Sequence, residues 1–216
     1  MTQPIALQLY TVRDQLARDF EGTIRRVAEI GYAGVETAHF PEGISPAAAK
    51  ALFDELGLAV CAAHAPLPLG EEGAAVLERL AALGTERLVC AWLPPNEYAT
   101  LGAAYRACDR LNQAAAVCAA HGLRLGVHNH WFEFQPLGDT GLRPYEIWLE
   151  RLDSRIFFEL DAYWAEVGGV PPLEALARFG PRVELLHVKD GPAGSTQDDM
   201  TAVGTGALDY TAIIPA

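Results

Sequence analysis

The 216-residue sequence predicts an α/β chain of the (β/α)8 TIM-barrel class, lacking the eighth strand and helix. Three observations carry that prediction. Seven short apolar runs begin about 25 to 37 residues apart, the pitch of a βα unit. The runs are nearly continuous in apolar residues, as strands of a parallel sheet covered on both faces are. Between them lie segments whose apolar residues recur at helical spacing.

The expected strands are residues 5–10, 34–38, 59–64, 87–92, 124–130, 156–161 and 183–188. One helical stripe is Phe20, Ile24, Val27 and Ile30. A second is Val76, Leu77, Leu80 and Leu83. A third, longer one is Leu101, Tyr105, Cys108, Leu111, Ala115 and Cys118. Ser45-Pro46 reads as an N-cap followed by proline at the first helical position. Gly31, Gly57, Gly84 and Gly122 stand where helices end. After Val188 comes a loop rich in Gly, Asp and Thr, then a helix start at Tyr210 with Asp209 as its cap. A doubly wound open sheet competes, but its glycine-rich loop after the first strand is missing: Gln8-Leu9-Tyr10-Thr11-Val12-Arg13 stands there. No linker or low-complexity stretch divides the chain, so residues 1–216 read as one C-terminally incomplete domain. A shortened form of a longer barrel is the simpler expectation, and a natural seven-stranded relative the other.

Composition narrows the function. Half the residues are hydrophobic and a fifth charged, which excludes a disordered chain. The net charge of −12 repels phosphate backbones and anionic membranes. Residues 1–4 carry no targeting signal, and no apolar run nears the roughly 20 residues of a membrane span. Cys61, Cys90, Cys108 and Cys118 are scattered among apolar neighbours, as buried thiols of a cytoplasmic protein are.

A barrel carries its chemistry at the C-terminal ends of its strands. There the sequence places Gln8, Glu36, His64, Trp92, the run from His128 through Asn129 and His130 to Glu133, Asp161, His187 and Lys189-Asp190. Four of the six histidines are among them. Glu133, Asp161 and His187 come from three consecutive strands. Two carboxylates and an imidazole suit a divalent ion such as Mn²⁺, Mg²⁺, Co²⁺ or Zn²⁺, and the absence of thiolates argues against a structural zinc. Other chemistries find no support: there is no G-x-S-x-G, no Walker loop, and Gly204-Thr205-Gly206 is a fragment of a dinucleotide fingerprint that follows no strand.

Three segments carry a family resemblance: residues 126–134 (GVHNHWFEF), 159–164 (ELDAYW) and 185–191 (LLHVKDG). With residues 8–13, 31–36 and 203–210 they resemble the xylose isomerase-like TIM barrels, and within them the sugar phosphate isomerase/epimerase group with its inosose dehydratases and ketose epimerases. The resemblance implies a divalent metal held by a carboxylate from strand five, an aspartate from strand six, a histidine from strand seven and a glutamate from strand eight. Asp161 and His187 match that pattern. At strand five His128 stands where many relatives carry glutamate, so either His128 coordinates or Glu133 reaches round, with Glu133 slightly favoured. Strand eight has no counterpart in these residues.

The implied reaction is isomerisation or epimerisation of a sugar, sugar phosphate or cyclitol, by removal of a proton next to a carbonyl through a metal-stabilised enediolate. In this reading Glu133, Asp161 and His187 are ligands, and Glu133 doubles as base. His128 and His130 are second-choice ligands or acid/base groups, and Lys189 stabilises the enediolate. Trp92 and Trp164 wall the substrate, and Gln8, Glu36 and His64 bond its hydroxyls. An inosose-type dehydratase and a non-catalytic ligand-binding barrel are the alternatives. A three-metal DNA-repair endonuclease of the same superfamily would need a basic groove, which the charge of −12 opposes. The expected partner is a small sugar or cyclitol, with no nucleic acid and no membrane; homo-oligomerisation stays open.

Overall fold

The structure is a computed structural model describing residues 4–216, the Asp139 side chain excepted. The expectation of no targeting signal at residues 1–4 falls largely on Met1–Gln3, outside the described residues. Two compact units emerge, Met1–Cys90 with Val117–Leu125 and Ala91–Ala116 with Gly126–Ala216.

The first unit contains strands β1 (Ala6–Gln8), β2 (Gly34–Thr37), β3 (Ala59–His64) and β4 (Arg87–Cys90), with helices α1 (Arg13–Arg18), α2 (Phe20–Ile30), α3 (Pro46–Glu55) and α4 (Gly73–Leu83) between them. The strands pair in parallel and in chain order, Gln8 beside Glu36 and Ala63 beside Leu88. Ile24 and Val27 of α2, Phe53 of α3, and Leu80 and Leu83 of α4 are buried, as are Val35, Ala62 and Leu88 of the sheet. The predicted stripe of α2 stops early: Ile30 is exposed, because Gly31 turns the chain out of the helix in a left-handed conformation. Ser45 caps α3 as expected, its side chain accepting from the Ala48 amide.

Helix α5 (Leu101–Ala120) and strand β5 (Arg124–His128) run from one unit's residues into the other's. The second unit continues with α6 (Pro144–Arg151), β6 (Phe157–Asp161), α7 (Ala162–Val167), α8 (Pro172–Phe179), β7 (Val183–His187) and α9 (Tyr210–Ile213). Here β5, β6 and β7 pair in parallel, with His128 beside Glu159 and Asp161 beside His187. Every residue of β6 is buried. Its alternation sorts them: Phe158 meets Trp148 and Phe179 of the helices, while Phe157, Glu159 and Asp161 take the opposite face. Gly126 is required on that face, since a Cβ there would stand 2.3 Å from the Phe157 ring.

Seven strands are present among the described residues, parallel within each unit, as predicted. Several end sooner than the apolar runs suggest. After β1 the Gln8 side chain accepts from the Tyr10 amide and starts a 3₁₀ turn over Leu9–Val12. After β5 a similar turn covers Phe132–Phe134. No cysteine forms a disulfide, and Cys90, Cys108 and Cys118 are buried. Among the described residues no helix is long and apolar enough to cross a membrane.

Candidate active site

The second unit gathers ionisable side chains at the C-terminal ends of β5, β6 and β7. The register makes the cluster: His128, Glu159, Asp161 and His187 lie on one face of three neighbouring strands. Each imidazole spans two carboxylates. His128 turns Nδ1 to Glu159 Oε2 at 3.1 Å and Nε2 to Asp161 Oδ2 at 3.8 Å. His187 turns Nε2 to the same Glu159 oxygen at 3.3 Å and Nδ1 to the same Asp161 oxygen at 3.8 Å. His128 Nδ1 and His187 Nε2 face Glu159, while His128 Nε2 and His187 Nδ1 face the Asp161 side. Those donors lie within 4.8 Å of one another and form a group that could hold a metal ion. Two nitrogens and one carboxylate oxygen are a donor set such an ion accepts.

Asp161 is held on every side. Its backbone N–H donates to Asn129 Oδ1 at 2.9 Å, and its carbonyl accepts from Asn129 Nδ2 at 3.1 Å. Oδ1 caps α7 by accepting from the Trp164 amide at 3.0 Å. Oδ2 receives the Lys189 ammonium at 2.6 Å. Burial alone would raise this carboxyl, but Lys189 and His187 outweigh it and hold the pKa down at about 2. Lys189 also lies 5.7 Å from the Trp164 ring centroid. Its backbone is fixed by Tyr210 of α9, whose hydroxyl accepts from the Lys189 amide at 3.0 Å and donates to its carbonyl.

Lys189 and Asp190 part company. Asp190 is buried and accepts from the backbone amides of Gly191, Gly204, Gly206 and Leu208, at 2.8 to 3.3 Å. The Gly204-Thr205-Gly206 segment is thus an anchor for a carboxylate, and a Cβ on Gly206 would fall 2.1 Å from Asp190 Oδ1.

Glu133 sits in the turn after β5, outside the donor group just described. It is 2% exposed, and Oε2 accepts from the His130 amide at 2.8 Å. Burial pushes its carboxyl up to about 8, against the backbone N–H groups that oppose the rise. His130 stacks on Phe132 and stands edge-on to half-exposed Trp92, centroids 5.6 and 4.7 Å apart. Trp131 meets Trp164 at 5.0 Å. In the first unit, the ends of β1, β2 and β3 bring Gln8, Glu36 and His64 together: Gln8 Nε2 donates to Glu36 Oε2 at 2.8 Å, and His64 Nε2 lies 3.3 Å from Glu36 Oε1.

The sequence model described as xylose isomerase-like TIM barrel matches residues 24–216. The chain belongs to the xylose isomerase-like TIM barrel family. No curated protein is significantly similar to it in sequence. Among solved structures, it is similar to a sugar phosphate isomerase/epimerase from Parabacteroides distasonis, with 24% identity over 99% of this chain and 81% of that one, and a TM-score of 0.80. A probable 3-DHS dehydratase from Bacillus anthracis gives 14% identity over 99% and 88%, with a TM-score of 0.75. An L-ribulose 3-epimerase gives 15% over 98% and 76%, with a TM-score of 0.69. At these identities the likeness is one of fold.

Within this xylose isomerase-like barrel, the donor group holds His128 beside Asp161 and His187, and Glu133 is not in it. Glu159, Asn129 and Tyr210 contact this cluster, and sequence reasoning gave none of them a role of its own there. For Glu159 a signal existed: it lies two positions before Asp161 on a strand, so both must share a face. Nothing in the sequence pairs Tyr210 with Lys189, because that contact depends on the course of the intervening loop.

Proposed function

We propose that this chain is a divalent-metal-dependent sugar isomerase or epimerase, acting on a ketose, ketose phosphate or cyclitol by moving a proton at carbon next to a carbonyl. The observation that carries the reading is the shared aim of His128 Nε2, His187 Nδ1 and Asp161 Oδ2. His128, Asp161 and His187 would hold the ion, and two imidazoles beside one carboxylate favour Mn²⁺, Co²⁺ or Zn²⁺ over Mg²⁺. Such an ion would supply Lewis-acid stabilisation of the negative charge that forms as the proton leaves.

The chain's own residues supply the rest. Glu159 lies against both imidazoles, at 3.1 and 3.3 Å, and fixes their orientation, so Glu159 is a positioning residue. Asn129 fixes the Asp161 backbone. Lys189 offers an ammonium for a substrate oxygen that gains negative charge as the proton leaves. Glu133 or His130 accepts or returns the proton; a carboxyl with a pKa of about 8 exchanges protons near neutral pH. Trp92 and Trp164 supply apolar walls for the carbon face of a sugar.

The test is proton NMR of Mn²⁺-loaded protein, after ion removal, with ketoses, ketose phosphates and an inosose in D₂O. Deuterium entering the position next to the carbonyl, with a new stereoisomer or positional isomer, supports the reading. A dehydrated product transfers the same site to the lyase alternative. Tight Mn²⁺ binding without exchange on any substrate supports the non-catalytic alternative.

A further inference from the structure

The sequence contains fourteen arginines and only two lysines, Lys50 and Lys189. Lys50 makes a surface pair with Asp54 one helical turn on. Lys189 instead places its ammonium 2.6 Å from Asp161 Oδ2, the oxygen that His128 and His187 face at 3.8 Å each. A lysine ammonium is a compact point charge on a flexible stem, and an arginine fork in its place would bind the carboxylate more rigidly. The ammonium thus sits on the same carboxylate oxygen that an ion bound by these donors would take. Two cations on one oxygen of a dry carboxylate repel strongly. The stem has freedom to leave: the Lys189 side chain is 33% exposed, and the Trp164 ring lies 5.7 Å away. Tyr210 holds the Lys189 backbone, which confines the movement to the side chain.

We propose that Lys189 is an exchangeable counter-ion: it neutralises Asp161 until a divalent cation takes Oδ2, and the displaced ammonium is then available to a substrate oxygen. This rests on the metal-site reading above. It adds that loading the site and arming its substrate-binding cation are one event.

Having only two lysines makes the test direct. Protein carrying [¹³Cε]lysine has two lysine signals, assigned with Lys189→Met, and is titrated with Zn²⁺ as a diamagnetic probe. The Lys189 signal moves toward the position of a solvated lysine as the site fills, and Lys50 stays still. In calorimetry Lys189→Met binds Zn²⁺ at least tenfold more tightly than the wild type, and Lys189→Arg does not. Zn²⁺ binding that leaves the Lys189 signal in place, or equal or weaker affinity in Lys189→Met, overturns the proposal while the metal site stands. Absence of Zn²⁺ binding in wild type and Lys189→Met alike overturns both.

Discussion

Glu133 is a buried carboxyl whose pKa of about 8 lies far above its ordinary value of 4.5. The sign of the consequence is fixed. Below about pH 4.5 both folded and unfolded chains keep the proton, and the folded state bears no penalty. Between about pH 4.5 and 8 the unfolded chain ionises and the folded one does not, so stability falls by up to about 1.4 kcal/mol per pH unit. Glu133→Gln keeps an acceptor for the His130 amide and removes the titration. Urea unfolding at pH 5, 6.5 and 8 is expected to show a flatter pH dependence in the variant, and equal slopes would refute the burial argument. The same residue marks where sequence reading stops. Strand-end position identifies Asp161 and His187, but whether His128 or Glu133 stands beside them depends on a 3₁₀ turn that folds Glu133 back onto the His130 amide.

Two backbone clasps set the geometry at the level of elements. Asn129 ties β5 to β6 by bonding both the N–H and the C=O of Asp161. Asn129→Ala leaves those buried groups without that partner, at a cost of about 1–3 kcal/mol. It should also weaken Mn²⁺ binding although Asn129 is no ligand. Full stability with unchanged affinity would show that the bridge does not position Asp161. The second clasp is Asp190 with the amides around Gly204 and Gly206. Gly206→Ala must displace Asp190 or the Gly191 backbone, which a Cβ would approach to 2.1 and 2.4 Å. A loss of about 2 kcal/mol or more follows, with hydrogen exchange at the Gly191 and Leu208 amides faster by at least tenfold. Unaltered exchange would mean the loop is held by something else. The strands and most helices were legible because their signals are local: apolar runs, helical stripes, Ser45, Gly31. The clasps join residues far apart in sequence through loop backbone, so no spacing announces them.

Across the whole molecule, the barrel class was readable from the βα pitch together with the near-continuous apolar runs, the helical stripes and the missing glycine-rich loop, and the parallel strands of each unit and the family agree with it. The net charge of −12 gives a prediction at this scale. The chain should show no measurable binding to duplex DNA even at low ionic strength, where any phosphate attraction is greatest; salt-sensitive binding would revive the endonuclease reading. The central claim concerns one ion per chain held by three side chains. Equilibrium dialysis against Mn²⁺ tests it in the wild type and in His128→Ala, Asp161→Asn, His187→Ala and Glu133→Gln, each first shown to be folded by circular dichroism. The account predicts one ion bound, affinity reduced at least tenfold by each of the first three changes, and little effect of Glu133→Gln. Loss of the ion in Glu133→Gln, with His128→Ala binding as the wild type does, would contradict it.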